Sequence, residues 1–320
     1  MSTEIRVAAV VVAYNRRDLL RESLAALDAQ TRPIDAIVVI DNGSDDGTSD
    51  MVAADFPHVH LTVLPRNTGG AGGFTVGMLD AIVDHDADWL WIMDDDTVPT
   101  PDALAALLGA RRSAPPRTTV LASRVVWTDG RDHPMNTPRR NPFANRSAVR
   151  AADAFDCYPI RSSSFVSLFV DADAVRRDGL PVSDYFLWND DFEFTARLLR
   201  TGRGYLVRPS VVVHKTKVFG STDADPGERF YLEVRNKLWL FRFSSALSLP
   251  EKAVYAGSTV RRWVRTVAKS TNRPVLWRGL GTGIRDGIMT TPRPNATVLA
   301  DLDPGIVNGL SAFEAQGSTR

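Results

Sequence analysis

The chain has little cysteine, no excess of either charge and no long apolar run. Its 320 residues include one cysteine, Cys157, so no internal disulfide can form and a reducing compartment is expected. Lysine and arginine number 38, as do aspartate and glutamate, which gives no overall attraction toward nucleic acid. No stretch reaches the roughly 18 apolar residues of a membrane span, and the N-terminus lacks a charged and then apolar signal segment. We therefore expect a cytoplasmic protein, which could still lie against a membrane.

Buried strands and amphipathic helices alternate along the first part of the chain. Apolar, β-branched runs at 5–13, 36–40, 61–64 and 89–93 predict strands, and helices are predicted at 18–30, around 51–52 and at 75–84. Strand–helix–strand units of this length form parallel sheets. The sequence therefore predicts an α/β fold with a mostly parallel central sheet, in which the polar loops after three strands converge at one edge.

The apolar run at 89–93 ends abruptly at three carboxylates, Asp94, Asp95 and Asp96. An uncompensated buried carboxylate is costly, so these side chains are expected at the carboxyl end of the strand, where open α/β sheets bind ligands. Clustered oxygen ligands suit Mg²⁺ or Mn²⁺, which usually share their coordination with substrate phosphates. The alternative interpretation is a solvated acidic turn before a helix that begins near Thr100.

Three further features have both a structural and a functional interpretation. Four glycines within residues 69–73 precede the helix predicted at 75–84 and either bind an anion or form a flexible loop. Asp190 and Asp191 precede a helix predicted at 195–201, where they are either ordinary caps or, given their aromatic neighbours, part of a pocket. His214 follows a strand predicted at 205–213 and is either structural or a ligand.

The remainder of the chain is less regular. Prolines and arginines predict a long surface excursion at 111–150, followed by a strand at 162–170 and a helix at 229–243. Residues 251–290 carry eight basic and two acidic side chains interleaved with tryptophan and aliphatic residues. This pattern suits an anionic membrane surface or a phosphate-bearing substrate, or else a solvated basic face over a core stripe. Residues 291–320 are predicted to be a loosely ordered tail.

Five motifs occur in the order seen in family 2 inverting glycosyltransferases, which the chain resembles over about residues 5–240. They are VVAYNR at 11–16, VIDNGSDDGT at 39–48, RNTGGAGGF at 66–74, WIMDDD at 91–96 and WNDDFE at 188–193. The resemblance implies a GT-A nucleotide-sugar-binding domain over 1–245 that needs Mg²⁺ or Mn²⁺. Residues 246–290 then form a helical, basic extension, interpreted as a membrane or acceptor contact. The glycine loop, the triple aspartate and YLEVRN at 231–236 most resemble the actinobacterial galactofuranosyltransferases that begin cell-wall galactan.

Carried over residue by residue, the resemblance also implies roles in the site. Asp191 would be the catalytic base, and the metal would be held by Asp94, Asp96 and His214. Trp188 and Asp190 would contact the acceptor. The residues implied to bind the donor are Ala13, Tyr14, Arg16, Asp41, Asn67, Gly69, Gly70, Asp94, Asp95, Arg235 and Asn236.

The resulting hypothesis is a metal-dependent inverting transferase that uses UDP-galactofuranose. Its acceptor would be a polyprenyl-diphosphate-linked saccharide at the anionic inner face of the cell membrane, in cell-wall or surface polysaccharide assembly. No nucleic-acid partner is expected, and a homo-oligomer is left open. Three alternatives remain: a rhamnosyltransferase that uses dTDP-rhamnose, a catalytically inactive nucleotide-sugar sensor, and a phosphohydrolase, whose signature DDDTV at 94–98 also fits.

Overall fold

The computed structural model describes residues 5–219 and 225–318, which are built around one mixed sheet. Its strands are β1 Val7–Ala13, β2 Ala36–Asp41, β3 His60–Val63, β4 Trp89–Asp94, β5 Thr97–Pro99, β6 Thr118–Val126, β7 Arg139–Arg140, β8 Cys157–Ser162, β9 Leu168–Asp171 and β10 Arg203–His214. The helices of the first half are α1 Arg17–Asp28, α2 Thr48–Asp55, α3 Gly69–Val83, α4 Ala103–Ser113 and α5 Arg146–Asp153. Those of the second half are α6 Ala172–Asp178, α7 Asp190–Leu198, α8 Phe230–Phe243, α9 Leu249–Lys269, α10 Arg273–Met289, α11 Asn295–Val298 and α12 Pro304–Ser318.

The parallel core predicted from the sequence is confirmed. Strands lie in the order β3-β2-β1-β4-β9-β6-β10-β8-β7, and the first four run parallel. Strand β1 is buried throughout, with alternate residues in two apolar clusters on opposite faces of the sheet. Such two-sided burial explains why its sequence is a continuous apolar run. Strand β9 then enters antiparallel between β4 and β6.

Helix α3 begins at Gly69, six residues earlier than predicted, so the glycines form its first turns and not a loop before it. Gly73, one of these four, and Gly77, one turn later on α3, pack directly on strand β1. A Cβ atom on Gly73 would lie 2.5 Å from Val12, and one on Gly77 would lie 2.5 Å from Val10. Only a residue without a side chain allows this approach.

The predicted surface excursion at 111–150 was wrong for its first part. Strand β6 lies inside the sheet between β9 and β10, and Val120, Leu121 and Ala122 are fully buried. The strand predicted at 162–170 was also wrong, because β8 ends at Ser162 and β9 begins only at Leu168. Between them, the backbone N–H of Ser163 donates to the hydroxyl of Thr195 on α7. The intervening residues therefore join the sheet to that helix.

The prediction of a loosely ordered tail after residue 291 was wrong for the described residues up to 318. The chain after residue 291 forms α11 and α12 and buries Leu299, Leu302, Leu310 and Phe313 in the same apolar cluster as α3. Leu310 and Phe313 lie three positions apart on one face of α12, while Leu299 and Leu302 lie in the turn between the two helices. The basic extension is helical as predicted and forms α9 and α10. No helix in the described ranges combines the length and apolarity that crossing a bilayer would require.

Candidate active site

Three neighbouring strands end together at one edge of the sheet, as predicted. Ala13 at the end of β1 pairs with Asp41 at the end of β2, and Val12 pairs with Asp94 at the end of β4. The backbone N–H of Tyr14 then donates to Oδ2 of Asp95 over 3.1 Å. The loop after β1 and the carboxylates after β4 are thus held directly to each other.

The residues predicted to bind the nucleotide lie around this edge of the sheet. Asp41 is fully buried, and its carboxylate accepts hydrogen bonds from the backbone N–H of Ser44, over 2.9 Å, and from the hydroxyl of Ser49. Oδ1 of Asn67 accepts from the backbone N–H of Gly69 over 2.8 Å. Tyr14 keeps 43% of its surface exposed, so its ring is free to contact a ligand.

The glycine start of α3 reaches the acidic pair at 190–191. A Cβ atom on Gly70 would lie 3.8 Å from Oδ2 of Asp190. The two stretches that sequence analysis interpreted as donor and acceptor contacts are therefore adjacent.

Asp94, Asp96 and His214 form a group that suits a divalent cation. One ligand atom from each residue lies within 4.8 Å of the other two. Strand β5 pairs antiparallel with β10, with His214 opposite Thr97, and this pairing carries the imidazole to the triple aspartate. Nε2 of His214 lies 2.9 Å from Oδ1 of Asp96. Imidazole nitrogen and carboxylate oxygen together fit Mn²⁺ and similar ions.

The orientation of the imidazole is fixed by Asn136, which sequence analysis missed. Nδ2 of Asn136 donates to the hydroxyl of Ser164 over 3.2 Å, so its Oδ1 is the atom that faces Nδ1 of His214, at 3.0 Å. The His214 Nδ1–H therefore donates to Asn136, and a neutral ring directs the Nε2 lone pair at the carboxylates. Such outer partners commonly set the tautomer of a metal-binding histidine. Asn136 lies in the proline-rich stretch, where no sequence signal distinguishes it.

The electrostatics of the aspartates also fit a cation. Burial, followed by the charge of Asp96, raises the pKa of Asp94 to about 6, and burial raises the pKa of Asp95 to about 7. Burial opposes ionisation of Asp96 as well, but the nearby His214 and Arg16 outweigh it and lower its pKa. Oδ1 of Asp96 is buried, and apart from Nε2 of His214 at 2.9 Å it has no hydrogen-bond partner in the described part of the chain. A cation bound here would satisfy that atom and favour the charged form of Asp94.

Arg16 closes the other side of the carboxylate group. Its Nη1 contacts Oδ2 of Asp96 and lies 3.4 Å from Oδ1 of Asp95, while about half of the side chain remains exposed. The guanidinium is therefore placed between the acidic cluster and the solvent, where a phosphate oxygen could approach it.

Asp190 and Asp191 begin α7 after a loop with an uncommon backbone. Phe186, Trp188 and Asn189 have φ angles of 62°, 69° and 65°, in the left-handed region that non-glycine residues rarely adopt. Asp190 is buried and Trp188 is half-buried. This strained backbone directs the start of α7, and with it both carboxylates, toward the end of β4.

Arg235 and Asn236, which were predicted to contact the donor, instead donate hydrogen bonds to the backbone of the loop before α7. Nδ2 of Asn236, which is fully buried, donates to the carbonyl oxygens of Tyr185, Leu187 and Trp188 over 2.9–3.0 Å. Nη2 of Arg235 donates to the carbonyl oxygen of Asp184 over 2.7 Å. Both residues therefore hold the strained loop in place, and Asn236 has no free surface for a donor.

Asp191 combines partial exposure with a raised pKa. Burial is the main cause, and it is opposed by a hydrogen bond from the backbone N–H of Phe192 and by the charge of Lys237. The charge of Asp191 also raises the pKa of Asp94, although less than burial and the charge of Asp96 do. The candidate base and the candidate metal site therefore lie within electrostatic range of each other.

Comparisons with known proteins agree with this geometry. The family model described as Glycosyl transferase family 2 matches residues 8–172. Galactofuranosyltransferase GlfT1 of Mycolicibacterium smegmatis is 35% identical over 210 residues, which cover 62% of this chain and 67% of that protein. Galactofuranosyltransferase GlfT1 of Mycobacterium tuberculosis H37Rv is 31% identical over 252 residues, which cover 70% and 79%.

Solved structures resemble the whole described chain in fold. S. aureus TarS 1-349 in complex with UDP superimposes with a TM-score of 0.62 at 15% identity, covering 98% of this chain and 88% of that one. GalNAc-T7 with UDP, GalNAc and Mn²⁺ gives a TM-score of 0.61 at 13% identity, covering 90% and 56%. At these identities the likeness concerns the fold alone.

Proposed function

Because the chain belongs to glycosyl transferase family 2 and is a glycosyltransferase, we propose that it transfers galactofuranose from UDP-galactofuranose. The acceptor in this proposal is a saccharide carried on polyprenyl diphosphate, in cell-wall or surface polysaccharide assembly. The observation that carries the proposal is the Asp94, Asp96 and His214 group within electrostatic range of Asp191. The two relatives named galactofuranosyltransferase GlfT1 support the choice of sugar.

The donor would lie across the ends of β1, β2 and β4. The buried carboxylate of Asp41 would face the base, with Ala13 and Tyr14 beside the nucleoside and Arg16 near the diphosphate. Asn67 and the start of α3 at Gly69 and Gly70 would line the same side. Asp95 would act through the backbone of Tyr14, to which it is already hydrogen-bonded.

Asp94, Asp96 and His214 would hold Mg²⁺ or Mn²⁺, and the ion would neutralise charge on the departing diphosphate. Asp191 would accept the proton of the acceptor hydroxyl as that oxygen bonds to the anomeric carbon and the bond from that carbon to the UDP oxygen breaks. Attack from the face opposite the diphosphate inverts the anomeric carbon. Trp188 and Asp190, on either side of Asn189, would position the acceptor sugar.

A membrane-facing surface accompanies this reaction in the proposal. Helices α9 and α10 enclose an apolar groove of about 530 Å³ that includes Val260, Val264 and Trp277. Val264 and Trp277 are 63% and 60% exposed. The same two helices also carry arginines. Basic residues beside exposed tryptophan favour binding to an anionic bilayer. The enzyme would thus work at the inner face of the cell membrane, where lipid-linked saccharides are held.

A donor comparison tests the proposal. The purified chain would be given UDP-galactofuranose or dTDP-rhamnose, with Mn²⁺ or Mg²⁺, and an alkyl-diphosphate-linked disaccharide as acceptor. We expect transfer from UDP-galactofuranose, and its loss when EDTA removes the ion. Transfer from dTDP-rhamnose alone would replace the donor in this proposal, and no transfer from either would overturn it.

A thermal-shift titration supplies an independent reading of the nucleotide. UDP, dTDP, GDP and ADP would each be added with and without Mn²⁺, because a ligand that binds only the folded chain raises Tm. We expect a metal-dependent rise with UDP. A larger rise with dTDP would favour the rhamnosyl alternative.

A further inference from the structure

Lys237 on α8 is a buried lysine that lies within electrostatic range of the carboxylates of Glu233 and Asp191 but forms a salt bridge with neither. Only 4% of its surface is exposed, and no hydrogen bond or salt bridge of its Nζ occurs among residues 5–219 and 225–318. Its Nζ lies 4.8 Å over the ring of Phe192, the residue after Asp191. A buried cation that contacts an aromatic face and has carboxylates only beyond salt-bridge distance is costly unless a further anion contacts it directly.

Glu233, the acidic residue of α8, already forms contacts with other groups. It lies four positions before Lys237, but its Oε2 accepts from Nδ2 of Asn189 over 2.7 Å. Its Oε1 contacts Nη2 of Arg262 and accepts from the indole N–H of Trp263 over 3.3 Å. Glu233 therefore connects the loop before α7 to α9 and forms no salt bridge with Lys237.

A second cation shares the same aromatic ring. The guanidinium of Arg139 lies 5.2 Å from the centre of the Phe192 ring, and the Arg139 side chain is exposed. Arg139, Lys237 and Arg262 are thus three cations in a corner of the site that holds two anions, Asp191 and Glu233. The corner thus carries an excess of positive charge immediately beside the candidate base. Burial is the main reason that the pKa of Lys237 is lowered to about 8, and the charges of Arg262 and Arg139 lower it as well.

The cations also lie next to the apolar groove of α9 and α10. Trp263, whose indole N–H donates to Glu233, is one of the residues that line that groove. A molecule with a long apolar chain, a phosphate group and a sugar could therefore lie along α9 with each part against matching chemistry.

We infer that Lys237 and Arg139, assisted by Arg262, bind the diphosphate of the lipid-linked acceptor, an inference that rests on the proposed function. The ammonium of Lys237 would bind as a point charge and the guanidinium of Arg139 as a planar donor. The polyprenyl chain would leave toward the groove and the sugar toward Asp191.

The test compares two acceptors that differ only in the diphosphate. One is the alkyl-diphosphate-linked disaccharide and the other is the matching alkyl glycoside. Lys237→Met and Arg139→Ala should each raise KM for the first acceptor about tenfold or more, with little effect on the second. Arg140→Ala is the matched control, since its neighbouring guanidinium lies over Tyr158 at 4.5 Å. Arg139→Ala alters an exposed side chain, so its result remains interpretable even where Lys237→Met fails to fold.

Each other outcome has a definite meaning. Equal losses on both acceptors would overturn the inference and assign Lys237 to the support of Asp191, which a shifted pH profile would also report. Unchanged KM values would overturn it as well. Loss of flotation with anionic vesicles free of acceptor would show that the cations bind phospholipid headgroups instead. No transfer by the unaltered chain to either acceptor would count against the proposed function itself.

Discussion

Nε2 of His214 lies 2.9 Å from Oδ1 of Asp96, and on the other side of the ring Nδ1 lies 3.0 Å from Oδ1 of Asn136. A neutral amide thus binds Nδ1 of the imidazole, and Nε2 faces a carboxylate. With Nδ1 protonated, Nε2 either carries a second proton or offers its lone pair to a cation. The metal binding proposed for this position would therefore depend on Asn136, which is not itself one of the proposed metal ligands.

Replacement of Asn136 should weaken the metal site without removing a ligand. Loss of the acceptor for Nδ1–H leaves the imidazole free to rotate or change tautomer, so Asn136→Leu should lower Mn²⁺ affinity about 10–100-fold. Titration of Mn²⁺ in the presence of UDP measures the affinity. Asn136→Asp, which keeps an acceptor oxygen, should retain it, and equal affinity for both variants would contradict this role.

Asp191→Asn should separate chemistry from binding. An amide cannot take the proton of the acceptor hydroxyl, so kcat should fall about 10²–10⁴-fold. The metal-dependent thermal shift with UDP should remain, because the amide is similar in size and lies outside the metal group. If donor binding were lost together with turnover, Asp191 would belong to the donor site. If turnover were unchanged, another residue would be the base.

The apolar groove gives a prediction about vesicle binding. Trp277→Ser and Val264→Ser each remove apolar surface worth roughly 1.5–3 kcal/mol when buried, so each should reduce partitioning to anionic vesicles about tenfold or more. Phe143→Ser is the control, because Phe143 is 70% exposed and lies away from α9 and α10 in the chain. Vesicle flotation measures all three. Equal losses in the control would indicate non-specific adhesion.

The ion pair between Arg161 and Glu251 predicts an acid-dependent loss of stability. Nε of Arg161 on β8 donates to Oε1 of Glu251 on α9 over 2.8 Å, and both side chains are 5% exposed. Burial alone would raise the pKa of Glu251, but hydrogen bonds from Arg161 and Ser248 outweigh it and lower the pKa to about 2. A lowered carboxyl pKa stabilises the fold above the unfolded value near 4.5, and the contribution is lost as pH falls toward 2.

This contribution is about 3 kcal/mol if the full shift applies. Urea unfolding between pH 6 and 3 should therefore show a steeper loss of stability in the unaltered chain than in Glu251→Gln. The exposed residue Glu228 supplies the control, since Glu228→Gln should leave the slope unchanged. Equal slopes for the chain and Glu251→Gln would mean that the pair does not anchor α9.

The GT-A fold and the family were predictable from the sequence, and the reason is local. The ends of β1, β2 and β4 carry the motifs, and a parallel sheet places such ends at one edge without further information. The family resemblance is confirmed by the match over residues 8–172, and with it the phosphohydrolase alternative loses its support. His214 could be joined to Asp94 and Asp96 only through the resemblance, since the pairing of β5 with β10 leaves no sequence signal.

The errors arose where long-range packing decides the structure. Strand β6 was mistaken for surface because prolines and arginines surround a short apolar run. Asn236 was interpreted as a donor contact because the family resemblance implied that role, whereas the buried amide donates to three carbonyl oxygens of a strained loop. Lys237, the next residue, was missed, because nothing in the sequence distinguishes it from a lysine that pairs with Glu233 one turn earlier on the same helix. That pair does not form, since Glu233 has partners on two other elements.

The contact between the start of α3 and the loop before α7 is made by backbone atoms. The N–H of Ala71 donates to the carbonyl oxygen of Phe186 over 3.2 Å, and a Cβ on Gly69 would meet that same oxygen at 2.0 Å. The alignment of the two halves of the site thus depends on the absence of a side chain at position 69. Substitution of the other side chains on these two segments should therefore leave the register between the two halves of the site unchanged, because backbone atoms alone make this contact.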